Sequence, residues 1–148
     1  MARNVIGIVC LAMVLGGCGV NLRQVATRVD SIQIDEQTDE GVRVLVTVVA
    51  ENPNDIPLPI VQAKYEVEVV GAKTFKFTDL PTATIPPHGT QTITLPAALA
   101  MSGGDASGHL YKITGSLVYE PPGEIRKLLT EYGVSLPAAS FKSRGELP

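Results

Sequence analysis

A chain of 148 residues has room for one ordinary domain, not for two with separate cores. Hydrophobic residues make up 45%, which excludes global disorder, and a net charge of −3 without any dense run of Lys or Arg excludes a nucleic-acid surface. Trp is absent and Phe plus Tyr total seven, so the core must come mainly from Val, Ile, Leu and Ala, and Val and Ile favour strands.

The chain opens MARNVIGIVCLAMVLGGC. Arg3 and the amino terminus form a short positive flank, and Val5 to Leu15 form an apolar stretch of eleven residues. A membrane-spanning helix needs ~20 residues, so this length suits a signal-peptide core instead. A buried helix of the domain fits less well, because the stretch is terminal and follows a basic residue. Leu15, Gly16 and Gly17 then match the recognition sequence of a lipoprotein signal peptidase, with Cys18 as the residue that accepts lipid; ordinary secretion is the alternative. In this reading residues 1–17 are removed, 18–24 are the lipidated Cys and its tether, and 25–148 form the domain.

Each acyl methylene buried contributes roughly 0.8 kcal/mol, so several chains on one Cys anchor a protein stably without spanning the bilayer. In two-membraned bacteria, Asp after the lipidated Cys retains a lipoprotein at the inner membrane. Gly19 stands there instead, which points to the periplasmic face of the outer membrane. Cys10 and Cys18 are the only cysteines, so the domain contains neither a disulfide framework nor a thiolate metal site.

From Val25 onward the hydrophobic period is two. In RVDSIQIDEQ, Val29, Ile32 and Ile34 mark a first strand with one irregular step. In VRVLVTVVAEN, Val42, Val44, Val46 and Val48 share one face, while Leu45, Thr47 and Val49 make the other fairly apolar, as in mid-sheet. ENPNDIPLPI cannot continue that strand, because Pro53, Pro57 and Pro59 lack donors. Asn52, Asn54 and Asp55 can satisfy the exposed backbone of a corner, with Ile56, Leu58 and Ile60 running extended along the sandwich edge.

Tyr65, Val67 and Val69 alternate with Lys64, Glu66 and Glu68, and Gly71-Ala72 turns the chain into TFKFT with Phe75 and Phe77 inward. A proline-rich turn from Ile85 to Gly89 precedes a strand carrying Ile93 and Leu95. A flexible SGGDASG loop leads to a strand whose Tyr111, Ile113, Leu117 and Tyr119 share a face. Ile125, Leu128 and Leu129 at helical spacing, with Gly133 as the stop, predict one short helix. A last strand turns Phe141 inward and Lys142 and Arg144 outward. About seven strands in this length predict an all-β, immunoglobulin-like sandwich.

The residues offer little catalytic chemistry. His88 and His109 read as solvated loop residues, since metal sites gather several ligands at short spacing. The Ser102–Gly108 loop lacks the Lys-Ser/Thr ending of a phosphate loop. Glu66 and Glu68 keep a strand face soluble. Asp35, Glu36, Asp39 and Glu40, with Glu51, Asn54 and Asp55, invite a calcium site, but the spacing departs from the D-x-[DN]-x-[DN]-G loop and reads as a solvated acidic turn. The reading is no catalytic residue, no metal, no cofactor and no nucleic-acid partner.

The ordered set Asn52-Pro53-Asn54, Tyr65, Gly71, Ile85-Pro86-Pro87-His88-Gly89 and Leu95-Pro96 resembles the LEA14-like domain, the water stress and hypersensitive response (WHy) or type 2 late embryogenesis abundant family. The resemblance spans roughly residues 25 to 146. It implies a fibronectin III-like sandwich with a helix near its C-terminal end, no catalytic residues, and an association with desiccation, cold or similar stress. Together with Cys18 it implies a lipid-anchored, monomeric protective domain whose clients are destabilised envelope proteins or the membrane. An envelope adaptor, or a carrier holding lipid or peptide between the sheets or along an edge strand, is the alternative; a hydrolase is a third reading.

Overall fold

The computed structural model describes residues 21–102 and 105–148. It contains β1 (Ala26–Thr38), β2 (Gly41–Glu51), β3 (Leu58–Val69), β4 (Phe75–Asp79), β5 (Ala83–Ile85), β6 (Thr90–Ala100), β7 (Leu110–Tyr119), α1 (Gly123–Glu131) and β8 (Ala138–Glu146). One sheet has the order β1-β2-β6 and the other β4-β3-β7-β8, with β5 also paired to β3. All pairings are antiparallel. The all-β sandwich expected from the alternation is present, with eight strands rather than about seven. The extra one is short β5, whose Ile85 pairs with Leu58 although the prolines after it predict a turn.

Period-two patterning fills the space between the sheets. On β2, Val42, Val44, Val46, Val48 and Ala50 are buried, facing Ile93, Leu95, Ala97 and Leu99 of β6 on the same side. From the other sheet come Tyr65, Val67, Ile113, Leu117, Tyr119 and Phe141. Two side chains tie the sheets together at opposite margins. Tyr65 Oη donates to the Pro96 carbonyl at 2.6 Å, and Thr27 Oγ1 donates to the Ser140 carbonyl at 2.7 Å.

Bulges reconcile hydrophobic runs of opposite parity. Leu58 and Ile60 face the core with even numbers, while Ala63, Tyr65 and Val67 face it with odd ones. The pairing of β3 with β7 slips between Ile60 and Gln62, and the residue between absorbs the change of phase. Strand β1 has two such slips, at Val29/Ser31 and Ile34/Glu36, where its sequence predicted one. Outer faces carry cross-strand ion pairs: Glu66 with Lys76 at 3.0 Å and Glu68 with Lys112 at 3.1 Å. Both are register partners, so these glutamates do serve a solvated face.

Two expectations need correction. Phe75 and Phe77 lie opposite Val67 and Tyr65 and so point to the inner face, but β4 is an edge strand and Phe77 remains 48% exposed. The rings instead pack on each other and on Tyr65, with centroids 5.7 to 6.2 Å apart. The loop after β6 is not merely a flexible connection. Its Ala106 is fully buried, and Gly108 N–H donates to the Leu147 carbonyl at 2.8 Å. Helix α1 forms where its spacing predicted and ends in a left-handed Gly133, with Val134 N–H donating to Leu129 and Gly133 N–H to Thr130. None of its residues is buried, so its apolar stripe is not part of the core.

Candidate functional site

Strand register sorts the connections into two poles. Ala26 pairs with Glu51, Glu51 with Thr90, Leu58 with Ile85, Ile60 with Tyr119 and Val118 with Ala138. One pole therefore gathers residues 21–25, the 52–57 corner, the 86–89 turn and the 120–137 connection that holds α1. The opposite pole holds residues 39–40, 70–74, 101–102 and 105–109 and the C-terminal residues.

Asn52 and Asn54 are the buried polar residues of the domain among those described, and both belong to the first pole. A buried amide must find partners, and Asn52 finds them on two segments, residues 54–56 and 85–86. Its Nδ2 lies 2.7 Å from the Ile56 carbonyl, 3.3 Å from that of Ile85 and 3.2 Å from that of Pro86. Its Oδ1 accepts from the Asn54 backbone N–H at 3.0 Å and from Asn54 Nδ2 at 2.9 Å. Its own backbone N–H donates to the Gly89 carbonyl at 2.9 Å. A single side chain thus joins the corner to the proline-rich turn.

Asn54 extends the network to the N-terminal segment. Arg23 N–H donates to Asn54 Oδ1 at 2.7 Å, and Asn54 Nδ2 donates to the Arg23 carbonyl at 2.9 Å. The amide behaves as one rung of a β-ladder and clasps the chain three residues before β1. Val25 packs into the core just beyond, and its N–H makes a long contact of 3.5 Å with Tyr119 Oη. A shallow cleft of about 350 Å³ between residues 21–23, Pro53–Ile56 and His88 surrounds this clasp.

The turn against Asn52 has its own geometry. His88, not Gly89, adopts the left-handed conformation, with φ of 49°. His88 N–H donates to the Asn54 carbonyl at 3.1 Å, and its Nε2 meets the exposed Asp55 carboxylate. Gly89 is required for room instead, because a Cβ there would lie 2.7 Å from Pro86 Cγ. Nothing in the residue alternation signalled the Arg23 clasp; the surplus of Asn at a corner was the available hint.

Of the residues singled out in sequence, Asn52, Pro53, Asn54 and Gly89 come together at this pole. Tyr65 and Pro96 form the separate cross-sheet bond described above, where burial, with Asp79 nearby, pushes the Tyr65 hydroxyl up to about 12. Gly71 lies at the opposite pole in a turn with φ of 88°. There His109 Nδ1 donates to the Val70 carbonyl at 2.8 Å. Leu15, Gly16, Gly17 and Cys18 fall outside the described residues.

The acidic residues do not converge. Asp35 and Glu36 pair with Arg43 at 2.5 and 3.5 Å, whereas Glu51 and Asp55 stand at the other end of the sandwich. Among the described residues no group of three or more His, Cys, Asp or Glu could hold a metal ion. Among them, too, no helix is long and apolar enough to cross a membrane.

Similar folds are found among solved structures. The solution structure of a late embryogenesis abundant protein superposes with a TM-score of 0.62 at 19% identity, over 83% of this chain and 70% of that one. A solution structure from Arabidopsis thaliana gives 0.61 at 12% identity, over 85% and 82%. A crystal structure from Archaeoglobus fulgidus gives 0.50 at 13% identity, over 85% and 97%. At these identities the likeness shows the sandwich fold alone. No curated protein sequence matches the chain. The family model for late embryogenesis abundant proteins, however, matches residues 47–130, which include the Asn52–Asn54 corner, the Gly89 turn and the Tyr65–Pro96 bond. With more than half of its length covered, the chain belongs to the late embryogenesis abundant family.

Proposed function

We propose that this chain is a non-enzymatic lipoprotein of the cell envelope, held to the membrane by lipid on Cys18, that protects envelope proteins or the membrane itself during desiccation, cold or similar stress. The observation that carries this reading is the family match over residues 47–130, joined in one chain to Leu15-Gly16-Gly17-Cys18. The sandwich acts as a weak, promiscuous surface for destabilised neighbours rather than as a site for one substrate. Gly19 after Cys18 favours the periplasmic face of the outer membrane.

Two experiments test the reading separately. Wild-type chain in cells should take up labelled palmitate and Cys18→Ala should not; equal labelling of both would remove the anchor. Cells lacking the protein should survive drying or freezing less well than the parent, and equal survival under both stresses would remove the protective role.

One observation favours a second reading, a carrier of an amphiphile. A cleft of about 700 Å³ runs along β7 and β8, where exposed Leu110 shares the outer face with Lys112, Lys142 and Arg144. That sets an exposed apolar side chain among cations, as a lipid or acidic peptide would need. Native mass spectrometry of protein released gently from membranes should then show a bound mass, and a clean apo mass would eliminate the carrier.

A further inference from the structure

We propose that helix α1 is a second membrane contact, lying in the interface of the same bilayer that holds the Cys18 lipid. The proposal rests on the anchoring reading above and adds an orientation to it. Ile125, Leu128, Leu129 and Tyr132 follow i, i+3, i+4 and i+7 and make an apolar stripe about 100° wide. Such a stripe ordinarily faces a core. Here no residue of α1 is buried, and Leu128, Tyr132 and Val134 are 53%, 75% and 55% exposed. The left-handed Gly133 turns the chain so that Val134 prolongs the apolar patch.

The position of the helix names what covers it. Helix α1 connects the end of β7 to the start of β8, at the pole where Asn54 clasps Arg23. Four residues separate Cys18 from Arg23, and the five steps between them span at most ~17 Å when fully extended. The clasp cannot swing freely, because both backbone groups of Arg23 are bonded to Asn54 and Val25 is in the core. A lipid on Cys18 therefore holds this pole at the bilayer and keeps the pole of Gly71 away. The charges near α1 are mixed, with Glu124 and Glu131 against Lys127, while Arg126 is bonded to Glu120 at 2.6 Å. Attraction to anionic lipid is thus weak, and apolar insertion at the boundary of a zwitterionic bilayer is the fitting mode.

The absence of Trp allows a direct test. Full chain bearing its lipid is reconstituted into phosphatidylcholine vesicles, with Leu128→Trp or Val70→Trp as the only Trp, excited beyond the tyrosine absorption band. Both positions are exposed, so neither change disturbs packing. Flotation of the vesicles first reports whether the chain is anchored. Trp at 128 should shift its emission to shorter wavelength and lose most of its intensity to brominated phosphatidylcholine, whereas Trp at 70, on the opposite pole, should do neither. If the chain floats but Trp at 128 is unquenched, the helix contact is wrong and the anchor stands; a blue-shifted but unquenched signal would assign the stripe to a second copy of the chain. If both positions are quenched alike, the orientation is wrong. A chain that fails to float overturns the anchor, and this proposal with it.

Discussion

Replacing Asn52 by Ala removes one fully buried amide and leaves its partners in place. The amide has two N–H groups, so two of the three carbonyls of Ile56, Ile85 and Pro86 receive a full bond at any moment. Its oxygen serves the buried Asn54 N–H as well. Truncation thus leaves two or three buried polar groups without a partner, at about 1–3 kcal/mol each. Some of that returns where water fills the space, and a net loss of roughly 3–5 kcal/mol is expected.

That is a large share of the ~5–15 kcal/mol that holds a domain of this kind together. Asn54→Ala should lose only about 1–2 kcal/mol, because the Arg23 groups it frees lie close to solvent. Asn52→Asp should be worse than Ala at neutral pH, since it buries a charge and turns an acceptor towards three carbonyls. Urea titration followed by far-ultraviolet circular dichroism measures all three, with the slope unchanged if only stability moves. An Asn52→Ala loss below about 1 kcal/mol, or one smaller than that of Asn54→Ala, would refute the view that this amide holds the pole together.

Two glycines of the same chain should respond in opposite senses. Gly115 stands between Tyr65 and Phe141 on the inner face, and a Cβ there would lie 2.4 Å from the Phe141 ring and 2.7 Å from the Lys64 carbonyl. Gly115→Ala should lose about 1–3 kcal/mol or more by overpacking, while Gly123→Ala, at the open start of α1, should gain a few tenths to ~1 kcal/mol; thermal melts compare them. Tyr65, with its hydroxyl pushed up to about 12 from the ordinary 10, holds its proton more tightly folded than unfolded. Its contribution is therefore complete below pH 10 and is lost as pH rises from 10 towards 12. Tyr65→Phe should lose about 1 kcal/mol at neutral pH and show a flatter decline through that window; an unchanged alkaline profile would assign the decline to other groups.

Alternation at positions such as Val42 to Val48 and Tyr65 to Val69 made the strands legible, because a pleated strand sends alternate side chains to opposite faces whatever its neighbours. The Asn-Pro-Asn corner was legible too, since proline removes donors that a strand would need. Partnership was not. Arg23 and Asn54 are 31 residues apart, and no local period records that one amide will bond both backbone groups of the other residue. Phe77 had an inward direction fixed by its strand, but exposure depends on which strand lies at the edge. The helix had its stripe in the sequence, yet only the sandwich decided that the core would be complete without it. What the sequence determined by itself was local: the strands, the corner, the helix and the family motif, each set by backbone and side-chain chemistry within a few residues. What the tertiary structure alone decided was the shared pole of tether, asparagines and helix, because strand register, a long-range property, carries residues far apart in the chain to one end of the sandwich.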